Sequence, residues 1–112
     1  AEARKQEALL LYKKSIQQAF QEVADSLVGV RLSKEVRQES EKQVKVLRQQ
    51  TELAYQRYYG GVTPYLEVLD SDRQLFEAEL RLVQARAQEL LTVIALYRAL
   101  GGGWQPQTPR QP

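Results

Sequence analysis

Taking every seventh residue from Leu9 gives Leu9, Ile16, Val23, Val30, Arg37, Val44, Thr51 and Tyr58, a single hydrophobic register held from near the start of the chain to a glycine pair. One long helix over about residues 1–59 accounts for it. A second row runs beside the first: Tyr12, Ala19, Ser26, Ser33, Ser40, Leu47 and Ala54. Its small members let a neighbouring helix approach closely, and Phe20 and Leu27 widen the stripe in the first half. Unbroken, such a helix is roughly 88 Å long at 1.5 Å per residue and needs lateral partners.

A second helix is predicted over about residues 64–100, where Leu66, Leu69, Arg73, Phe76, Leu80, Val83, Ala87, Leu90, Ile94 and Tyr97 alternate steps of three and four. That row reads as the coiled-coil seam facing the first helix. Val68, Leu75, Leu82 and Leu96, joined by Val93 and Leu100, lie off it, and two apolar faces imply two neighbours. Between the helices, residues 60–63 form the predicted tip of a hairpin. Gly60 and Gly61 suit the left-handed conformation that ends a helix, while Thr63 and Pro64 read as the N-cap and first residue of the next one. The expected fold is therefore all-α, a long antiparallel hairpin over residues 1–104. Gly101, Gly102 and Gly103 stop the second helix. Beyond Trp104, residues 105–112 have no periodicity and three prolines, the composition of a disordered tail.

The two arms differ in length. Folding back from the tip, residues 64–100 cover the first helix only to about residue 24. The overhang, residues 1–23, contains Leu9, Leu10, Leu11, Tyr12, Ile16 and Phe20, and burying each large apolar side chain is worth roughly 1.5–3 kcal/mol. Three covers suit it: a third helix, if the first breaks near Gly29; further copies of the chain; or parts of a longer polypeptide from which this one reads as cut.

Composition narrows the chemistry. Apolar residues make up 43% and charged ones 27% of 112 residues, ordinary for one small helical domain. The net charge of +2 comes from 16 basic and 14 acidic residues spread along the helices, a solvated surface rather than a nucleic-acid footprint. The longest apolar run, residues 90–100, is too short for a membrane helix and carries Arg98. Cys, His and Met are all absent, which removes disulfides, thiol chemistry, the commonest metal ligand and the commonest general base. No cofactor is expected. Glu67 and Asp70 stand three apart on one face of the second helix, one turn from the tip. Acids in a first turn also simply favour the helix dipole. Asp72 reads as solvated, and Arg37 and Arg73, on seam positions, either cross-pair with acids or reach to solvent.

Three segments carry a family resemblance: AFQEVADSL at residues 19–27, RYYGGVTPYLEVLDSDRQLFEAELRLVQAR at residues 57–86, and ALYRALGGGW at residues 95–104. Together, in this order and over almost the whole chain, they resemble the C-terminal repeat of TolC/OprM-type outer-membrane efflux proteins. The resemblance implies a fragment of a trimeric α-helical barrel, the periplasmic part of an exit duct in the outer membrane of a Gram-negative bacterium. It serves a tripartite export pump, with a periplasmic adaptor and an inner-membrane transporter as partners. Residues 1–59 would run to the periplasmic tip, residues 64–100 would return from it, and the GGGW end would enter the equatorial region. The membrane would be met only through strands this chain does not contain.

By the same resemblance, Glu67 and Asp70 would ring the entrance constriction, where repulsion among carboxylates sets an electrostatic cost on closure. Tyr58, Tyr59, Gly60, Gly61, Val62, Thr63 and Pro64 would meet the adaptor. A basic tip residue that latches the closed state in some relatives is Thr63 here, which puts such a latch in doubt. Two other classes stand beside the duct. A free-standing coiled-coil or oligomerisation module explains the heptads but not the tip. An enzyme would need more than a carboxylate pair without pocket, phosphate loop or nucleophile and base.

Overall fold

The computed structural model describes residues 1–101, which form two helices joined by a turn. Helix α1 spans Glu2–Tyr59 and helix α2 spans Tyr65–Gly101, making an all-α helical hairpin. The expected tail at residues 105–112 and the glycine–tryptophan end at residues 102–104 lie outside the described residues.

Helix α1 continues through Gly29, so the third helix that a break there would create does not form. A single glycine costs a helix only about 1 kcal/mol relative to alanine, and no proline lies between Glu2 and Tyr59 to add to it. Gly29 is half-buried, and a Cβ there would stand 4.0 Å from Thr92 Cγ2.

The chain divides into two packed units. In the unit Leu32–Leu90, Val44, Ala78 and Leu82 form a small core against which Leu47 and Leu75 pack. Ser33, Thr51 and Ala54 on α1 and Val68 and Ala85 on α2 are also buried. The inner surface of α1 thus combines its two predicted rows. On α2 the rows exchange roles. Val68, Leu75 and Leu82, read as secondary, face α1, whereas the row expected to form the seam faces outward: Leu82 is 9% exposed and Phe76 67%. The physical reason is size. Ala78, Ala85, Ser33 and Ala54 allow the backbones to come close, and a flank of Phe76, Leu80 and Val83 would hold them apart.

In the other unit, Ala1–Arg31 with the described part of Leu91–Pro112, residues 1–22 are all exposed, including Leu9, Leu10, Leu11, Tyr12, Ile16 and Phe20. Packing begins at Val23. Val23, Ser26, Gly29 and Val30 are half-buried on α1, as are Thr92, Val93, Leu96 and Ala99 on α2.

Helix α1 stops at the glycine pair by a specific bond pattern. The Val62 N–H donates to the Arg57 carbonyl and the Gly61 N–H to the Tyr58 carbonyl, both at 2.9 Å. Gly61 has φ +74°. These are the two closures of a Schellman motif, with Gly61 as the left-handed residue and Gly60 still on the helical side. Only one of the two glycines needs its conformational freedom.

Candidate functional site

Helix α2 begins immediately after Pro64, whose carbonyl accepts from the Glu67 N–H at 3.2 Å. Thr63 does not cap it through its side chain: Oγ1 is buried and makes no hydrogen bond among the described residues. The fixed φ of Pro64 and the Schellman closure upstream start the helix without it.

The tip is aromatic on both arms. Tyr58 lies 5.0 Å from Tyr65 and 5.6 Å from Tyr59, ring centre to ring centre, and Tyr59 stacks on Tyr55 at 6.2 Å. Tyr59 is 79% exposed. The paired tyrosines expected at the tip therefore have different surroundings. Tyr58 bridges to the return helix, while Tyr59 presents an open ring beside Gly60, Gly61 and Val62.

Glu67 and Asp70 both lie in the opening turns of α2, and each is held by a different arginine. Arg57 Nη1, at the end of α1, reaches across the turn to Glu67 Oε1 at 3.4 Å. Arg73 Nη2 donates to Asp70 Oδ1 at 2.9 Å, and Gln74 Nε2 donates to Asp70 Oδ2 at 2.9 Å. The other nitrogen of Arg73, Nη1, donates to Glu77 Oε1 at 3.1 Å. Arg73 therefore holds the Asp70 carboxyl below its ordinary range, with Gln74 adding to the effect, and is itself raised by Asp70 and Glu77. These groups are solvent-exposed, so the pairs contribute little to stability. Their consequence is electrostatic: the acidic face is partly neutralised by its own chain.

Asp72 is not simply solvated. Tyr55 Oη, on α1, donates to Asp72 Oδ2 at 2.7 Å, and this bond, with burial second, pushes the phenol up to about 12. One turn earlier on α1, Thr51 Oγ1 donates to the Leu47 carbonyl at 2.8 Å, with the Ser71 carbonyl at 3.3 Å. Farther along the same unit, Arg37 cross-pairs. Its Nε donates to Glu89 Oε2 at 2.7 Å and its Nη1 to Glu41 Oε1 at 3.0 Å, and Arg86 approaches Glu41 at 3.6 Å. Of the two seam arginines, Arg37 crosses the hairpin and Arg73 stays on its own helix.

Sequence reasoning missed Tyr55, Tyr65 and Arg57 as neighbours of the tip. For some of the local contacts a signal was available. Tyr55 precedes Tyr58 and Tyr59 by three and four residues, and Arg73 follows Asp70 by three and precedes Glu77 by four, the spacings that bring helical side chains together. Contacts across the turn, Tyr58 with Tyr65 and Arg57 with Glu67, have no such local signature. Among the described residues no cluster of acids could hold a metal ion, and no helix is long and apolar enough to cross a membrane.

The chain matches known proteins along most of its length. The family profile described as outer membrane efflux protein covers residues 1–102. A toluene efflux pump outer membrane protein of Pseudomonas putida, TtgF, is 44% identical over 93 residues, 83% of this chain and 19% of the relative. The solvent efflux pump outer membrane protein SrpC of the same species is 41% identical over 105 residues, 93% of this chain and 22% of the relative. A pyoverdine export outer membrane protein, OpmQ, also from P. putida, is 37% identical over 109 residues, 97% of this chain and 23% of the relative. The chain spans about a fifth of the length of these curated relatives. With a helical hairpin, a glycine-closed tip and a family match over residues 1–102, this chain belongs to the outer membrane efflux protein family.

Proposed function

We propose that this hairpin is a periplasmic segment of an efflux duct, a passive exit channel for an export pump that acts without catalysis or cofactor. The observation that carries the reading is the family match over residues 1–102. The exposed apolar row on α2 supports it, because a wall helix in a closed ring of helices needs a neighbour on each side. The uncovered residues at the start of α1 support it in the same way. In this reading three copies of the full-length protein form the ring, and a periplasmic adaptor and an inner-membrane transporter complete the pump.

The tip is the entrance. Glu67 and Asp70 line the constriction, and Tyr58, Tyr59, Gly60, Gly61, Val62, Thr63 and Pro64 form the surface offered to the adaptor. Tyr59 is the strongest contact candidate, since its exposed ring gives apolar area and a polar edge to a partly wet interface. Arg57 and Arg73 temper the constriction, so the entrance field is set by a balance of charges rather than by carboxylates alone. The relatives are named for toluene, solvent and pyoverdine at similar identities. We accordingly assign no cargo to the hairpin.

Planar-bilayer conductance of the full-length protein tests the entrance. Glu67→Gln with Asp70→Asn should reduce its preference for cations and weaken block by divalent cations, and an unchanged selectivity would overturn the constriction assignment. Cross-linking from position 59 to the adaptor in cells tests the docking surface. Absence of adducts there, with adducts formed from positions along the α2 shaft, would move the contact away from the tip.

A further inference from the structure

Charge is arranged differently on the two flanks of α2. On one flank Tyr55–Asp72, Arg48–Glu79 and Glu41–Arg86 cross the hairpin at 2.7, 3.3 and 3.6 Å, one heptad apart on both helices. On the other flank, steps of four and three from Asp70 lead to Gln74, Glu77, Arg81, Gln84 and Gln88. Measured around α2 from the buried Leu82, Arg81 lies about 100° to one side, and Glu79 and Arg86 lie about 60° and 40° to the other. In the unit Leu32–Leu90, Arg37, Arg48, Arg57, Arg73 and Arg86 each have a carboxylate partner. Arg81 is exposed and makes no hydrogen bond or ion pair among the described residues. Glu77, four residues before it and within helical reach, is held by Arg73 instead.

We propose that Arg81 is a specificity-determining residue of the duct, a basic ring set behind the acidic entrance that favours solutes bearing a carboxylate or another anionic group. The inference rests on the reading in which Asp70 faces the water-filled interior. A stripe in alternating steps of three and four keeps one direction relative to the partner helix, so if Asp70 points inward, Arg81 does too. It stands about 16 Å farther along α2 at 1.5 Å per residue. That exceeds the Debye length of about 8 Å at physiological ionic strength, so the two charges act as separate zones. Three copies of the hairpin place three guanidinium groups around the path, none of them neutralised by its own chain. Cations gathered by Glu67 and Asp70 then meet a ring that repels them, and anions find there the attraction that the entrance denies them. Gln84 and Gln88 continue the stripe without charge. Arg86, close to Arg81 in sequence but on the flank of cross-hairpin pairs, has no such part.

Reversal potentials of the full-length protein in planar bilayers under a potassium chloride gradient test the ring, with chloride as the anionic probe. Arg81→Gln should raise the ratio of cation to anion permeability about twofold at 0.1 M salt, and the difference should shrink at 1 M, where charges are screened within about 3 Å. Arg81→Lys should keep the original ratio, and Arg86→Gln should leave it nearly unchanged. Arg81→Cys gives a second readout on channels already inserted. A cationic thiol reagent should return its ratio toward that of the unaltered protein, and an anionic one should drive it further toward cations. An unchanged ratio in Arg81→Gln, equal shifts in Arg81→Gln and Arg86→Gln, or indifference of Arg81→Cys to the sign of the reagent would each overturn the proposal. A duct that responds to Glu67→Gln with Asp70→Asn but not to Arg81→Gln loses this inference alone; one that responds to neither loses the acidic entrance as well.

Discussion

The two faces of α2 differ in a way that runs against simple hydrophobicity. Its inner face, Val68, Leu75, Ala78, Leu82 and Ala85, is modest in size and interrupted by Asp72 and Glu89; its outer face, Leu66, Leu69, Phe76, Leu80, Val83 and Leu90, is larger and more apolar yet lies open. Small inner residues give the close approach that dispersion rewards, and the polar residues among them find partners on α1. The outer face has neither device. It suits a looser contact with a neighbour, as a wall helix in a ring requires.

Substitutions at Ala78 and Phe76 test that contrast most severely. Ala78→Leu should destabilise the chain by about 1–3 kcal/mol, because it overpacks a position buried against Val44 and Leu82, while Phe76→Ser should change its stability by no more than about 0.5 kcal/mol. Urea unfolding followed by helical circular dichroism measures both, and equal costs would show that the faces are misassigned. Next in size is the turn that delivers α2 to α1. Gly61→Ala forces a side chain into the left-handed region and should cost about 1–2 kcal/mol, whereas Gly60→Ala should cost clearly less.

The inner polar contact has a spectroscopic signature. Tyr55 is held at about 12 by its bond to Asp72, above the ordinary phenol value of about 10. A raised value in the folded chain means that this contribution to stability is fully present below the unfolded value. It is lost as pH rises through the window from about 10 to about 12. Ultraviolet titration should show a phenol that ionises late. Tyr55→Phe should delete it, and Asp72→Asn should bring it back toward the ordinary phenol value; persistence of the late phenol in Asp72→Asn would separate it from this bond. The smallest expected effect is a gain. Gly29→Ala fits in open van der Waals contact with Thr92 and should stabilise the hairpin by about 0.5–1 kcal/mol, read as a higher urea midpoint.

Much of the fold is legible in the order of residues. The heptad rows of α1, the glycine pair and the three- and four-residue steps of α2 specify two helices and a reversal, since helical periodicity and left-handed glycine are local properties. The candidate site is legible only in part. Glu67 and Asp70 declare themselves as acids on one face, but their neutralisation is unequal in visibility. Arg73 is a local i+3 partner, while Arg57 meets Glu67 only once the chain has turned. Thr63 has the residue type and position of a cap, yet its hydroxyl does not act as one.

Sequence alone therefore determined that this chain is a pair of long helices with a turn at Gly60 and Gly61, because each of those features is decided within a few residues. The tertiary structure decided which face of α2 turns inward, that Arg37 finds Glu89, and that Tyr55 finds Asp72. Those outcomes depend on how closely two backbones approach and on which half-buried polar groups find partners, quantities that exist only between elements. A hydrophobic row identifies a surface that wants cover; only packing determines what covers it.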